Sequence, residues 1–278
     1  ILGIHLEGPY FSTEKPGAAA AKTFRKPNLD EVDEVVKASG NTIKIIDVAP
    51  ELDGAIEFIR GLVERGIIAA IGHTHGTYED VLRGIENGAT HIIHAYNAMT
   101  EFHHRHPGVV GAMLTRDDVN AELIADGVHV HPAAMKVLLR CKGTDRIDLI
   151  TDSTAPAGLP NGEYEFIGRK VIVKDGVCFL PRPPISSALA GTKREEKVTL
   201  AGSMATMNKD VRNIVKLVGT SLCDAVKMAS YNPAKELGIA DRKGSIKPGK
   251  DADLVIFDDD VNVLKTIIGG EVVYSSEG

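Results

Sequence analysis

Apolar residues along the chain repeat with two periods that take turns. Short apolar runs at 1–6, 42–48, 67–71, 90–93, 120–124 and 146–150 read as strands. Between them, 28–39, 55–65, 77–86 and 132–140 read as helices. In the first of these Leu29, Val32, Val35 and Val36 fall three and four apart, the spacing of one helix face. Gly40, Gly66 and Asn87-Gly88 close three helices, and Thr77 opens one as a capping residue. Pro107-Gly108 reads as a break. Strands alternating with helical segments mean βαβ units and a parallel sheet.

The six runs lead to polar residues: Glu7, Glu51, His73, His94, Asp126 and Asp152. In a (β/α)₈ barrel those exits share one rim, and the active site is built there. A doubly wound sheet would show a Gly-rich phosphate loop after an early strand, and none is present. The pattern therefore predicts an α/β fold of the (β/α)₈ TIM-barrel type. Its first strands are expected to lie ahead of Ile1, because 1–6 is already a core-type strand. Beyond Asp152 the stretch 163–180 alternates around Gly168 and Asp175-Gly176, as antiparallel hairpins do. Helices return at 203–217 and 221–237, the second interrupted at Asn232-Pro233, and 244–274 is again strand and turn. The expected division is a barrel over 1–243, with a hairpin insertion at about 163–198, and 244–278 as part of a small β-sandwich domain.

Composition agrees with that size and narrows the partners. The 278 residues, 43% hydrophobic, suffice for one large domain and an appendage. A net charge of −6 argues against a general nucleic-acid surface and leaves room for a local basic pocket. Cys141, Cys178 and Cys223 form neither a C-x-x-C pair nor an even set, which fits a reducing cytoplasm. No apolar run is long enough to span a membrane, and no signal-peptide pattern is visible.

The candidate chemistry lies at the strand exits. Glu7, His73 and His94 offer one carboxylate and two imidazoles from three strands, a set suited to Zn²⁺ or Fe²⁺ with a position left open for water. Asp152, from a fourth exit, suits a general base that later acts as acid. Taken singly, Glu7 also reads as a structural ion-pair partner and Asp152 as a helix cap. His91 reads as a packed or hydrogen-bonded residue, and Glu51 and Asp126 as structural. Together the four exits favour a metal site.

A set of ordered motifs adds to this reading. HLEGPYF (5–11), GHT (72–74), HAYNAM (94–99), HHRHPG (103–108), ADGVHVHP (125–132), LITDSTAPAG (149–158), TLAGS (199–203) and the G-x-I-K-P-G-K-x-A-D-L-V tail (244–255) follow one another along the chain. Together they resemble the N-acetylglucosamine-6-phosphate deacetylases of the amidohydrolase superfamily. The resemblance implies divalent-metal-dependent hydrolysis of the acetamide of an amino sugar 6-phosphate, with at least one ion per subunit. It implies Glu7, His73 and His94 as metal ligands and Asp152 as the acid/base group. Ala18, Ala19, Asn97, Ala98, Gly127, His129, Leu200, Ala201 and Gly202 would touch substrate. Arg105 would bind the phosphate from the neighbouring subunit, which implies a homodimer. His75, His103, His104, His106 and His131 match no such role.

Three departures stand out. Where the family usually carries a polar side chain to hold the acetyl carbonyl, the run is Gly17-Ala18-Ala19-Ala20. The stretch 179–198 is long and charged, and Leu189-Ala190-Gly191-Thr192 nearly repeats 200–203; the later copy is favoured because it directly precedes a helix. The strand that carries a His-x-His pair in the superfamily is absent, so the number of metals stays open. Rival readings are the galactosamine epimer as substrate, another cyclic-amide hydrolase of the dihydroorotase kind, and an inactive scaffold.

Overall fold

Every strand of the main sheet but the all-apolar Ile68–Ile71 carries apolar residues on one face and polar residues on the other. A computed structural model describes residues 1–181 and 199–276. Six parallel strands, β1 (Ile4–Tyr10), β2 (Ile43–Val48), β3 (Ile68–Ile71), β4 (Ala89–Ile92), β5 (Asn120–Leu123) and β6 (Ile147–Leu149), pair in the order of the sequence. That order never reverses, so the sheet has no switch point of the doubly wound kind. Ile46, Val48, Ile71, Ile92, Leu123 and Leu149 face the helices and join one buried apolar cluster. From the helix side α2 (Ala55–Glu64) contributes Phe58, Ile59 and Leu62 to the same cluster.

The other face is polar, and apart from His5 and Glu7 on β1 its polar side chains are buried. His5 Nε2 sits 2.6 Å from Asp47 Oδ1, and Asn120 Nδ2 donates to Asp148 Oδ2 at 3.2 Å. His91 lies 3.8 Å from Glu236, and its burial pushes its pKa down to about 4, so the ring is neutral. Burial pushes Glu122 up to about 8 and Asp148 up to about 7.

Local sequence fixes the helices. Asn28 Oδ1 accepts from the Asp30 and Glu31 N–H groups at the start of α1 (Leu29–Ala38). Thr77 and Asp80 make a reciprocal capping box on α3 (Tyr78–Glu86). Pro132 opens α5 (Pro132–Lys142), with His131 as its cap.

The structure differs from the sequence expectation at several points. β1 runs through Glu7 to Tyr10, so Glu7 lies within the strand, at an irregular stretch between Leu6 and Tyr10. A helix the sequence reading passed over, α4 (Gly108–Thr115), starts at the Pro107-Gly108 break. It is buried from Gly108 to Met113, and an all-round apolar helix shows no 3.6-residue polar alternation. Ser203 is bridged to Ser153 as extended chain, so α6 (Met207–Asn213) begins four residues later than expected. A π turn (Ile214–Val218) continues it. The 221–237 helix is α7 (Leu222–Val226), a π turn (Lys227–Tyr231) and α8 (Asn232–Glu236), running on through Pro233.

Two small antiparallel sheets complete the described chain. One is β7 (Gly162–Phe166), β8 (Arg169–Lys174) and β9 (Val177–Phe179). The other is β10 (Leu254–Phe257), β11 (Val263–Ile268) and β12 (Glu271–Ser275), whose Val255, Ile256, Val272 and Val273 are about half exposed. The 189–192 near-repeat and most of the long 179–198 stretch lie outside the described residues.

Candidate active site

Three side chains from three strands converge at the exit end of the main sheet. Glu7 Oε1 lies 3.0 Å from His73 Nε2 and 3.3 Å from His94 Nε2. One ligand atom from each residue lies within 4.8 Å of the other two. The two imidazoles meet edge to face, with ring centroids 4.8 Å apart, and both are nearly buried, whereas Glu7 keeps 44% of its side chain exposed. His73 is the more tightly held. Its Nδ1 lies 2.9 Å from the Lys15 carbonyl oxygen, and Phe11 stacks on its ring at 4.3 Å.

Backbone strain concentrates here. His73, His94 and Asp152 have φ of 44°, 28° and 46°, in the left-handed region that costs a non-glycine residue roughly 1–2 kcal/mol. Tyr96 and Ala98, in the loop after β4, share that region with φ of 73° and 48°. The chain turns sharply off each strand and so aims these side chains across the rim.

The electrostatics fit a cation. Burial works against the Glu7 charge, yet hydrogen bonds from His73 and His94 hold its carboxyl well below the usual carboxylate range. Burial also works against a charged His94, and the bond and charge of Glu7 outweigh it, raising His94 to about 9. An ionised carboxylate facing two imidazole nitrogens therefore draws positive charge to one point. This is the donor chemistry of a divalent ion site, and the three residues fit one.

Asp152 lines the same cavity, of about 450 Å³. Burial first, and the Glu7 charge second, push Asp152 up to about 6. The Ser203 N–H donates to the Asp152 carbonyl at 2.8 Å, tying the β6 exit to the 199–203 strand-like segment. His129, Asn97 and Ala98 also face the cavity.

The same chain matches the amidohydrolase family model over residues 1–273. It belongs to the amidohydrolase family. It is 40% identical over 277 residues to an N-acetylglucosamine-6-phosphate deacetylase of Bacillus subtilis, covering 100% of this chain and 66% of that protein. It is 39% identical over 272 residues to an N-acetylgalactosamine-6-phosphate deacetylase of Escherichia coli O157:H7, covering 98% and 68%. The crystal structure of the N-acetylglucosamine-6-phosphate deacetylase from Thermotoga maritima superposes with a TM-score of 0.87 at 39% identity, covering 99% of this chain and 70% of that one. The chain thus spans about two thirds of the length of these relatives.

In this amidohydrolase the cavity wall also takes in Ala18, Ala19, Leu200 and Gly202. Gly127, Ala201 and Arg105 lie off it. Gly127 is on the exposed outside of its turn. Ala201 is fully buried with Val171, Val173 and Cys178 beneath the β7–β9 hairpin sheet. Arg105 sits in an exposed turn closed by His103–His106 backbone pairing, its Nη1 2.7 Å from His104 Nε2. Two groups escaped the sequence reading. The Lys15 carbonyl carries no side-chain signal, and Phe166 and Ile167 reach the cavity from the hairpin, whose Arg169 Nη1 donates to the Ala18 carbonyl at 2.8 Å. Glu51 is structural: it accepts from the Thr74 hydroxyl at 2.5 Å and the His75 N–H at 2.7 Å.

Proposed function

We propose that the whole protein hydrolyses the acetamide of N-acetyl-D-glucosamine 6-phosphate to glucosamine 6-phosphate and acetate. The observation that carries this is one cavity shared by the Glu7–His73–His94 donor set and Asp152. Glu7, His73 and His94 would hold a divalent ion, zinc or iron, which would supply Lewis acidity toward the amide carbonyl and lower the pKa of water. Asp152 takes the proton released when water attacks and returns it to the departing amine, which leaves only as a protonated group. Asn97, Ala98, His129 and the wall from Ala18 to Ala19 and Leu200 to Gly202 hold the sugar. Ala201, buried beneath the hairpin sheet, supports that wall from behind. Arg105, exposed in its turn, reaches the neighbouring subunit of a homodimer and binds the phosphate there.

The sequential, all-parallel order of β1 to β6 supports their being part of a (β/α)₈ barrel over 1–243, with a β-hairpin insertion at about 163–198 and 244–278 belonging to a small β domain. Among the described residues no helix is long and apolar enough to cross a membrane, and the three cysteines are unpaired, which supports a cytoplasmic enzyme acting on a small sugar phosphate.

The similarity to a galactosamine enzyme, at 39% identity, supports a second reading in which the epimer is the substrate. Acetate release from both sugar phosphates by metal-supplemented protein tests the two. Higher kcat/KM on the glucosamine compound is expected. A preference for the galactosamine compound would transfer the reading to it, and no release from either would overturn both.

A further inference from the structure

The loop after β5 holds a third histidine at the cavity. Asp126 Oδ1 accepts the Val128 and His129 backbone N–H groups, each at 2.8 Å, and its Oδ2 lies 2.7 Å from His129 Nδ1. Asp126 and His129 side chains are only 14% and 7% exposed. Burial would raise the Asp126 carboxyl, but the His129 side-chain and backbone bonds hold it below its ordinary value, so it is ionised and only accepts. The proton of the shared bond therefore stays on His129 Nδ1. The opposite nitrogen, Nε2, has no hydrogen-bond partner among the described residues, while the ring lines the cavity that holds Asp152.

What lies behind Asp126 preserves this arrangement. Asn213 Nδ2 donates to the Ala125 carbonyl at 2.9 Å and fixes the loop to the end of α6. Asp210, fully buried with neither carboxyl oxygen hydrogen-bonded among the described residues, is pushed up to about 8 by burial and by the Asp126 charge. It is neutral at pH 7 and does not compete for the His129 proton.

We propose that Asp126 is a positioning residue that fixes the His129 tautomer, so that His129 Nε2 presents a lone pair to a hydroxyl of the bound sugar. The proposal rests on the amino sugar phosphate reading above. Asn at 126 still accepts the two backbone N–H groups through its oxygen, but its amide donates to Nδ1. The ring proton then moves to Nε2, so the sugar hydroxyl loses its acceptor there and must turn its own proton away from the ring to accept instead.

The test is the zinc-loaded protein with ¹⁵N-labelled histidine, read by NMR, together with steady-state kinetics on N-acetyl-D-glucosamine 6-phosphate. Wild type should show a protonated His129 Nδ1 and a bare Nε2, and Asp126→Asn should reverse them. KM should rise about 10- to 100-fold, the range for a lost hydrogen bond to a buried partner, with kcat changed less than about threefold. In a His129→Asn background Asp126→Asn should add almost nothing to KM. A wild-type ring protonated at Nε2, or additive losses in the double variant, would overturn the proposal, even if Asp126→Asn alone failed to fold. If wild type released no acetate from either epimer, the substrate reading would fail while the NMR result still decided the tautomer.

Discussion

The Lys15 carbonyl oxygen lies 2.9 Å from His73 Nδ1, and this contact turns His73 Nε2 toward Glu7. A backbone carbonyl that accepts from one ring nitrogen fixes the tautomer and leaves the other nitrogen as a lone-pair donor, the usual support for a metal-bound imidazole. The loop that supplies Lys15 passes so close that a Cβ on Gly17 would stand 2.8 Å from His73 Cε1, and Gly17 is itself left-handed, with φ +55°.

Gly17→Ala should therefore displace the His73 ring and weaken divalent-ion affinity about 10- to 100-fold, the range seen when a ligand's supporting contact is lost. Competition with a chromophoric chelator measures it. His94→Ala should lose the ion and the activity together, and metal-free but fully active His94→Ala protein would remove the metal from the reaction.

Asp152→Asn should keep the ion and bind the sugar phosphate while losing about 10²- to 10⁴-fold in kcat, the range for a missing general acid/base. Burial and the Glu7 charge raise Asp152 to about 6 without an ion. A dication at Glu7 offsets that charge and favours ionised Asp152. The acid limb of kcat/KM in the loaded enzyme should thus lie below pH 6, because the base form is lost as pH falls. A limb above pH 6 would count against Asp152 as the base.

Arg105 is exposed and off the cavity of its own chain. If it serves the neighbouring subunit, Arg105→Ala and Asp152→Asn chains co-expressed as a mixed dimer should regain roughly a quarter to a half of wild-type activity per dimer, since one composite site keeps both groups. An inactive mixed dimer of verified composition would place Arg105 outside the shared site.

Asp210 is fully buried and without a hydrogen bond among the described residues, and its carboxyl is raised to about 8 from an ordinary 3.8. A raised carboxyl pKa means that folding takes up a proton between those values, so the cost is absent below pH 4, grows with pH, and levels off above pH 8. Asp210→Asn should stabilise the fold by at least about 1 kcal/mol at pH 8 and by almost nothing at pH 4. Urea unfolding at the two pH values measures the difference.

The sequence by itself determined the order and kind of the main elements. Periodicity, Asn28 and Thr77 as caps, and Gly40 and Gly66 as stops are local, and local signals survive in one dimension. It also supplied the four side chains that meet at the rim, because strand exits of a parallel sheet fall on one edge whatever their distance in sequence. It missed α4, whose burial on all sides erases the polar period. Only the tertiary structure decided that Lys15 offers a carbonyl rather than a side chain, that Arg169 draws the hairpin over Ala18, and that the inner strand face is polar. Each depends on the direction of a group across a distance of tens to more than a hundred residues, and residue type alone carries no information about direction.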